Sequence, residues 1–143
     1  MDEILSAIKA DKRLLGNVAL EEALDKNLPP FPFDKDQLQQ VLWNIILNAL
    51  EAMGKKGRLK LTTASEDKQA VIHIDDTGPG IPVESLKRIF QPFHTTKKQG
   101  TGLGLSIAQR IVMAHQGQLL VESQPGRGSR FSIRLPLRGE PAL

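Results

Sequence analysis

Two asparagines four residues apart, Asn44 and Asn48, lie inside the apolar run VLWNIILNAL. On a helix that spacing puts both amides on one face. Asparagine is a mediocre helix former and is costly to bury without partners, so the pair needs an explanation. Either each amide bonds to neighbouring backbone, or the two form a polar stripe facing a pocket. In a pocket, amide oxygens ligate a hard cation such as Mg2+, which keeps most of its waters and bridges phosphates. A second segment, DDTGPGI (75–81), ends a β-like run with Asp76, followed by Gly78 and Gly80. Asp76 can accept a bond from an exocyclic amine, and the glycines let backbone turn tightly and approach a flat ligand. An ordinary turn fits the same residues. Asp75 is expected to point the opposite way, because strand side chains alternate. The third segment is QGTGLGL (99–105), running into a helix. Unpaired backbone N–H groups and the helix dipole there favour an anion such as a triphosphate. Just before it, Lys97 and Lys98 either meet phosphates or are simply solvated. GRGS (126–129) taken alone is a hairpin turn.

These segments need a scaffold, and the chain supplies one. Residues 1–15 have near-helical apolar spacing and read as a short helix, the tail of a longer one. NVALEEAL (17–24) suits a strand, and NLPPFPFD is too proline-rich for a helix interior. From Asp34 a long helix is predicted, with an acidic first turn and Gly54 and Gly57 at its exit. RLKLTTAS (58–65) and QAVIHIDD (69–76) read as a hairpin, VESLKRIF (83–90) as a short helix and LSIAQRIVMAHQG (105–117) as an amphipathic one. QLLVESQ (118–124) and RFSIRLPL (130–137) close the chain as paired strands. Strands that pair with neighbours, with helices between the pairs, imply an α/β fold. We expect a two-layer α/β sandwich, a mixed sheet of about five strands with about three helices on one face.

The 143 residues are 40% hydrophobic and 24% charged, in keeping with one globular domain. There are no cysteines, so a disulfide framework and cysteine-bound zinc are excluded. His73, His94 and His115 offer no metal-ligand spacing. A net charge of +3 is spread along the chain and aromatics are 4%, which speaks against nucleic acid as a partner. No run of about 18 apolar residues occurs, so direct membrane insertion is not expected. The phosphate loop does not immediately follow a strand, so it is not a dinucleotide fingerprint, and no GxxxxGK[ST] P-loop is present.

In this order and at these intervals, the segments resemble the boxes of the GHKL superfamily, whose ATP site is the Bergerat fold. QLQQVLWNIILNALEAM looks like its asparagine box, DDTGPGI its first glycine box, FQPF its phenylalanine box, GTGLGL its second glycine box and GRGS its last. FHTTK ahead of GTGLGL resembles the nitrogen-regulator-like branch of sensor histidine kinases. The resemblance implies ATP and Mg2+ as cofactors, with Asn48 as metal ligand and Asn44 as a second polar contact near the phosphates, both in catalytic roles. Asp76 becomes the adenine-reading carboxylate, Gly78 and Gly80 shape the adenine pocket, and Ser129 hydrogen-bonds within it. Gly100, Gly102 and Gly104 lie along the phosphate lid, to which Thr95, Thr96, Lys97 and Lys98 belong. Ile81, Phe93, Thr101, Leu103 and Leu105 complete the nucleotide site.

In hydrolysing members of the superfamily a glutamate general base stands four residues before the metal asparagine; here that residue is Asn44. An amide takes no proton at neutral pH, so the site looks built to hold MgATP for another nucleophile. The resemblance therefore implies a protein-histidine kinase whose acceptor histidine lies on a dimerising segment outside this chain. Residues 1–15 would be the stub of that connection and 16–139 the catalytic ATP-binding domain. It further implies a response regulator downstream, a full kinase that is a homodimer, a fragment that is monomeric, and a cytoplasmic location. The alternatives are a GHKL ATPase, a serine-directed anti-sigma kinase, or a nucleotide-binding module without transfer. Glu51 stands where many histidine kinases carry a lysine, which removes one phosphate contact from that turn.

Overall fold

A computed structural model describes residues 17–25, 34–54, 56–86, 88–90 and 104–137. The expected helix at residues 1–15 lies outside this set, as do residues 26–33 and 91–103.

The long amphipathic run forms α1 (Lys35–Met53). Asp34 caps its start, its carboxylate accepting from the Gln37 N–H at 3.0 Å. Gly54 ends it in the left-handed conformation at φ 63°. Between these caps Val41, Leu42, Ile45, Ile46, Ala49, Leu50 and Met53 form the buried stripe.

The strands β1 (Asn17–Ala23), β2 (Lys56–Glu66), β3 (Gln69–Asp76), β4 (Gln118–Gln124) and β5 (Gly128–Pro136) make one mixed sheet in the order β1-β2-β3-β5-β4. β1 runs parallel to β2 and the other neighbours are antiparallel. β2 starts two residues earlier than its apolar alternation predicts, because Asn17 and Val18 of β1 pair with Lys56 and Gly57.

Alternation sorts the sheet into two faces. Leu59, Leu61, Ile72, Ile74, Phe131, Ile133 and Leu135 point to the helices and join the α1 stripe in one apolar core. On the other face Glu21, Lys60, Asp75, Arg130 and Glu122 stand in register across all five strands, a row of alternating charge. Within it the Arg130 guanidinium donates twice to the Asp75 carboxylate, so Asp75 does face away from Asp76.

Two more helices are found among the described residues. α2 (Val83–Leu86) is shorter than VESLKRIF suggests. The Arg88 N–H reaches back three residues to the Ser85 carbonyl at 2.8 Å, a tight turn that unwinds the helix, and Ile89 beyond it is buried. α3 (Gly104–Ala114) adds Ala108 and Val112 to the core.

Candidate functional site

Two places in this fold carry the chemistry-bearing residues. The first is a wall where the loop leaving β3 lies against the β4–β5 hairpin. Asp76, the last residue of β3, pairs across the sheet with Ser129, and both are buried on the helix side. The Asp76 carboxylate accepts from the Gly78 N–H at 2.9 Å. Burial pushes its carboxyl above the usual aspartate range; the Gly78 and Ser129 backbone bonds oppose that rise, and the neighbouring Asp75 charge adds to it.

The loop is held by backbone. The Gly126 N–H donates to the Pro79 carbonyl at 2.7 Å. Gly80 sits at φ 78°, where a Cβ would collide with the Gln124 carbonyl, and Gly128 sits at φ 103° directly against the Asp76 carbonyl. Met53, at the end of α1, closes the wall against Gly78. Thr77 prolongs the ladder beyond Asp76, its hydroxyl accepting from the Arg58 N–H at 2.9 Å while its own N–H bonds the Arg58 carbonyl. Ile81 follows, its N–H donating to the Ser123 hydroxyl at 2.7 Å.

The second place is the seam between α1 and α3. Asn44 Nδ2 donates to the Gly104 carbonyl at 3.1 Å, tying the middle of α1 to the first residue of α3. At the other end His115 Nδ1 lies 2.8 Å from the Ile111 carbonyl and its Nε2 accepts from the Asp34 N–H at 3.2 Å. Those two bonds call for a neutral imidazole with the proton on Nδ1. The two ties run α1 and α3 antiparallel. Asn48, one turn beyond Asn44, is half-buried on the same face, and Leu105 is half-buried at the start of α3.

Of the residues singled out in the sequence, the wall brings together Asp76, Gly78, Gly80, Ile81 and Ser129, and the seam brings together Asn44, Asn48, Gly104 and Leu105. Phe93, Thr95, Thr96, Lys97, Gly100, Thr101, Gly102 and Leu103 lie outside the described residues. Sequence reasoning missed Ser123, Thr77 and Met53. For Ser123 a signal exists: a hairpin that pairs Gln124 with Gly128 sets Ser123 directly across from Ser129.

A family model for the histidine kinase-, DNA gyrase B- and HSP90-like ATPases matches residues 33–139. The chain belongs to this family. Among its relatives, signal transduction histidine-protein kinase AtoS of Escherichia coli (strain K12) is 46% identical over 115 residues, 80% of this chain and 19% of AtoS. Sensory histidine kinase/phosphatase NtrB of Klebsiella oxytoca is 40% identical, across 85% of this chain and 38% of NtrB. The catalytic domain of histidine kinase ThkA superposes with a TM-score of 0.84 at 32% identity, covering 96% of this chain and 90% of that one. A structure of ThkA with the response regulator TrrA matches with a TM-score of 0.82 at 28% identity, over 99% of this chain and 40% of that one. The family member described here is thus an ATP-binding catalytic domain of the histidine-kinase type, spanning about a fifth of AtoS and two fifths of NtrB. No helix among the described residues is long and apolar enough to cross a membrane.

Proposed function

We propose that this domain holds MgATP and delivers its γ-phosphoryl group to a histidine on the dimerisation segment of a full-length sensor kinase. The observation that carries the reading is Asn44. It stands four residues before Asn48, where a hydrolytic relative needs a carboxylate, and its amide nitrogen is committed to the Gly104 carbonyl. An amide there neither deprotonates water nor accepts a proton from it.

The wall residues bind the base: Asp76 accepts from the exocyclic amine of adenine, while Gly78 and Gly80 let backbone approach the ring. Ser129 contributes a further polar contact. The described residues contain no cluster of three carboxylate, histidine or cysteine ligands. That suits Mg2+, which prefers one or two protein oxygens together with phosphate and water over an all-protein cage. Asn48 would hold it, and the bound ion supplies neutralisation of phosphate charge. Catalysis by the chain's own groups is then positioning, with Asn44 keeping the start of α3 in register with Asn48.

The described histidines are occupied structurally. His73 bonds Ser132 across the strands at 2.8 Å and His115 ties α1 to α3, so neither is the acceptor we assign. ThkA's association with a response regulator supports the same downstream partner here. We place the fragment as a cytoplasmic monomer, its parent as a homodimer, and residues 16–139 as the catalytic unit.

The test is incubation of the chain with γ-labelled ATP, Mg2+ and a histidine-bearing dimerisation hairpin supplied in trans. Label on the hairpin histidine, with slow release of free phosphate, is the expected result. Brisk hydrolysis without label would replace this reading with that of an ATPase.

A further inference from the structure

Ser123 lies outside every motif that identified the site, yet its hydroxyl is the hub of the wall. It meets the Ile81 N–H at 2.7 Å, the Gly128 carbonyl at 3.0 Å and the Ser129 hydroxyl at 2.9 Å. A serine hydroxyl has one proton and two acceptor positions. The Ile81 N–H can only donate, and the Gly128 carbonyl can only accept. One arrangement satisfies all three contacts: Ser123 gives its proton to Gly128 and accepts from both Ile81 and Ser129. The Ser129 proton is thereby spent inside the wall, and Ser129 turns only lone pairs toward a ligand. Its cross-strand partner Asp76, when ionised, is also an acceptor only. Both are buried, so water does not compensate a mismatched ligand atom.

We propose that Ser123 is a positioning residue for base selection: by fixing the Ser129 proton it makes this wall acceptor-only, favouring a purine with an amino group over one with an oxo group. The inference rests on the nucleotide-site reading above and deepens it. Ser123 acts through Ser129 and through the Ile81 backbone, without needing to touch the nucleotide.

The experiment measures the affinities of the 143-residue chain for ATP and inosine triphosphate with Mg2+ in the wild type and in Ser123→Ala, Ser123→Thr, Ser129→Ala and the Ser123→Ala/Ser129→Ala double variant, with thermal melts to check folding. Ser123→Ala should weaken ATP binding roughly 3- to 10-fold, the scale of one net hydrogen bond, and weaken inosine triphosphate less, so that the preference shrinks. Ser123→Thr, which keeps the hydroxyl, should restore it. The double variant should show the same preference as Ser129→Ala alone, because the two residues act in one chain. If Ser123→Ala fails to fold, Ser123→Cys, with a weakly hydrogen-bonding thiol of similar size, should show the same loss of preference. Equal weakening of both nucleotides would mean that Ser123 merely braces the loop, and an unchanged preference in the folded variants would mean that it orients nothing; either overturns the proposal. A wild type that binds neither nucleotide overturns the nucleotide-site reading itself, whereas wild-type binding with additive Ser123 and Ser129 effects overturns only the proton-orienting role.

Discussion

At the wall, Gly80 and Gly128 have backbone from neighbouring segments pressed against them, at positive φ, so any side chain must displace main chain. At the seam, a methyl added to Gly104 would sit 3.8 Å from the Asn44 Cβ, in ordinary contact. At Gly80 and Gly128 the wall brings main chain against main chain, and the fold demands these two glycines even without a ligand. The seam is tied by the Asn44 amide and the His115 imidazole, and the described residues around Gly104 stand only at ordinary contact distance from an added methyl. We propose that the glycine at position 104 serves a phosphate approaching the start of α3.

The largest expected effect breaks the wall. Gly80→Ala should destabilise the domain by about 3 kcal/mol, from a non-glycine residue at positive φ combined with the clash at Gln124, read as a lower urea midpoint at unchanged slope.

Next comes Asp76→Asn, which separates binding from stability. Losing a buried charged acceptor should weaken ATP binding by roughly 10- to 100-fold, the scale of a hydrogen bond to a charged group. The folded carboxyl is raised above its ordinary value of 3.8, mainly by burial. Its contribution to stability is therefore full below the unfolded value and is lost as pH rises through the folded one. At neutral pH the ionised group works against folding, so Asp76→Asn should melt no lower than the wild type. By the same sign, ATP affinity in the wild type should begin to fall, on acidification, at a higher pH than an ordinary aspartate would give. Calorimetry across pH 4 to 7 reads both, and a lower melting point in the variant would contradict the burial argument.

These two effects bear on what the sequence made legible. The end of β3 at Asp76 and the shared helical face of Asn44 and Asn48 follow from periods of 2 and 3.6, which local sequence carries. Gly80 was read as serving a tight turn or the close approach of a ligand; its contact with the Gln124 carbonyl, 44 positions away in the chain, was not legible. Ser123 was legible only through the hairpin register that sets it across from Ser129, since its partners come from the loop after β3 and from β5. VESLKRIF kept helical periodicity to Phe90, but burial of Ile89 through a tight turn won over helix continuation. His115 gave no local clue that it would accept a bond from Asp34, 81 residues earlier.

Smaller effects sharpen the seam. Asn44→Ala removes the tie to Gly104 and should cost about 1 kcal/mol of stability, together with a drop in ATP affinity as α3 loses its register to Asn48. Gly104→Ala should leave stability unchanged or raise it by up to about 1 kcal/mol, since alanine is the better helix former. If ATP binding nevertheless weakens in that variant, the glycine is required by the ligand; if binding is also unchanged, the assignment of Gly104 to the phosphate side fails.

The most direct measurement of the central claim is a calorimetric titration of the chain with a non-hydrolysable ATP analogue, with and without Mg2+, in the wild type, Asp76→Asn and Asn48→Asp. The account predicts saturable binding that strengthens with Mg2+, strong loss in Asp76→Asn in both conditions, and an altered Mg2+ dependence in Asn48→Asp. Equal affinity in all three proteins would contradict it, because neither the wall nor the seam would then be where the nucleotide and its metal are held.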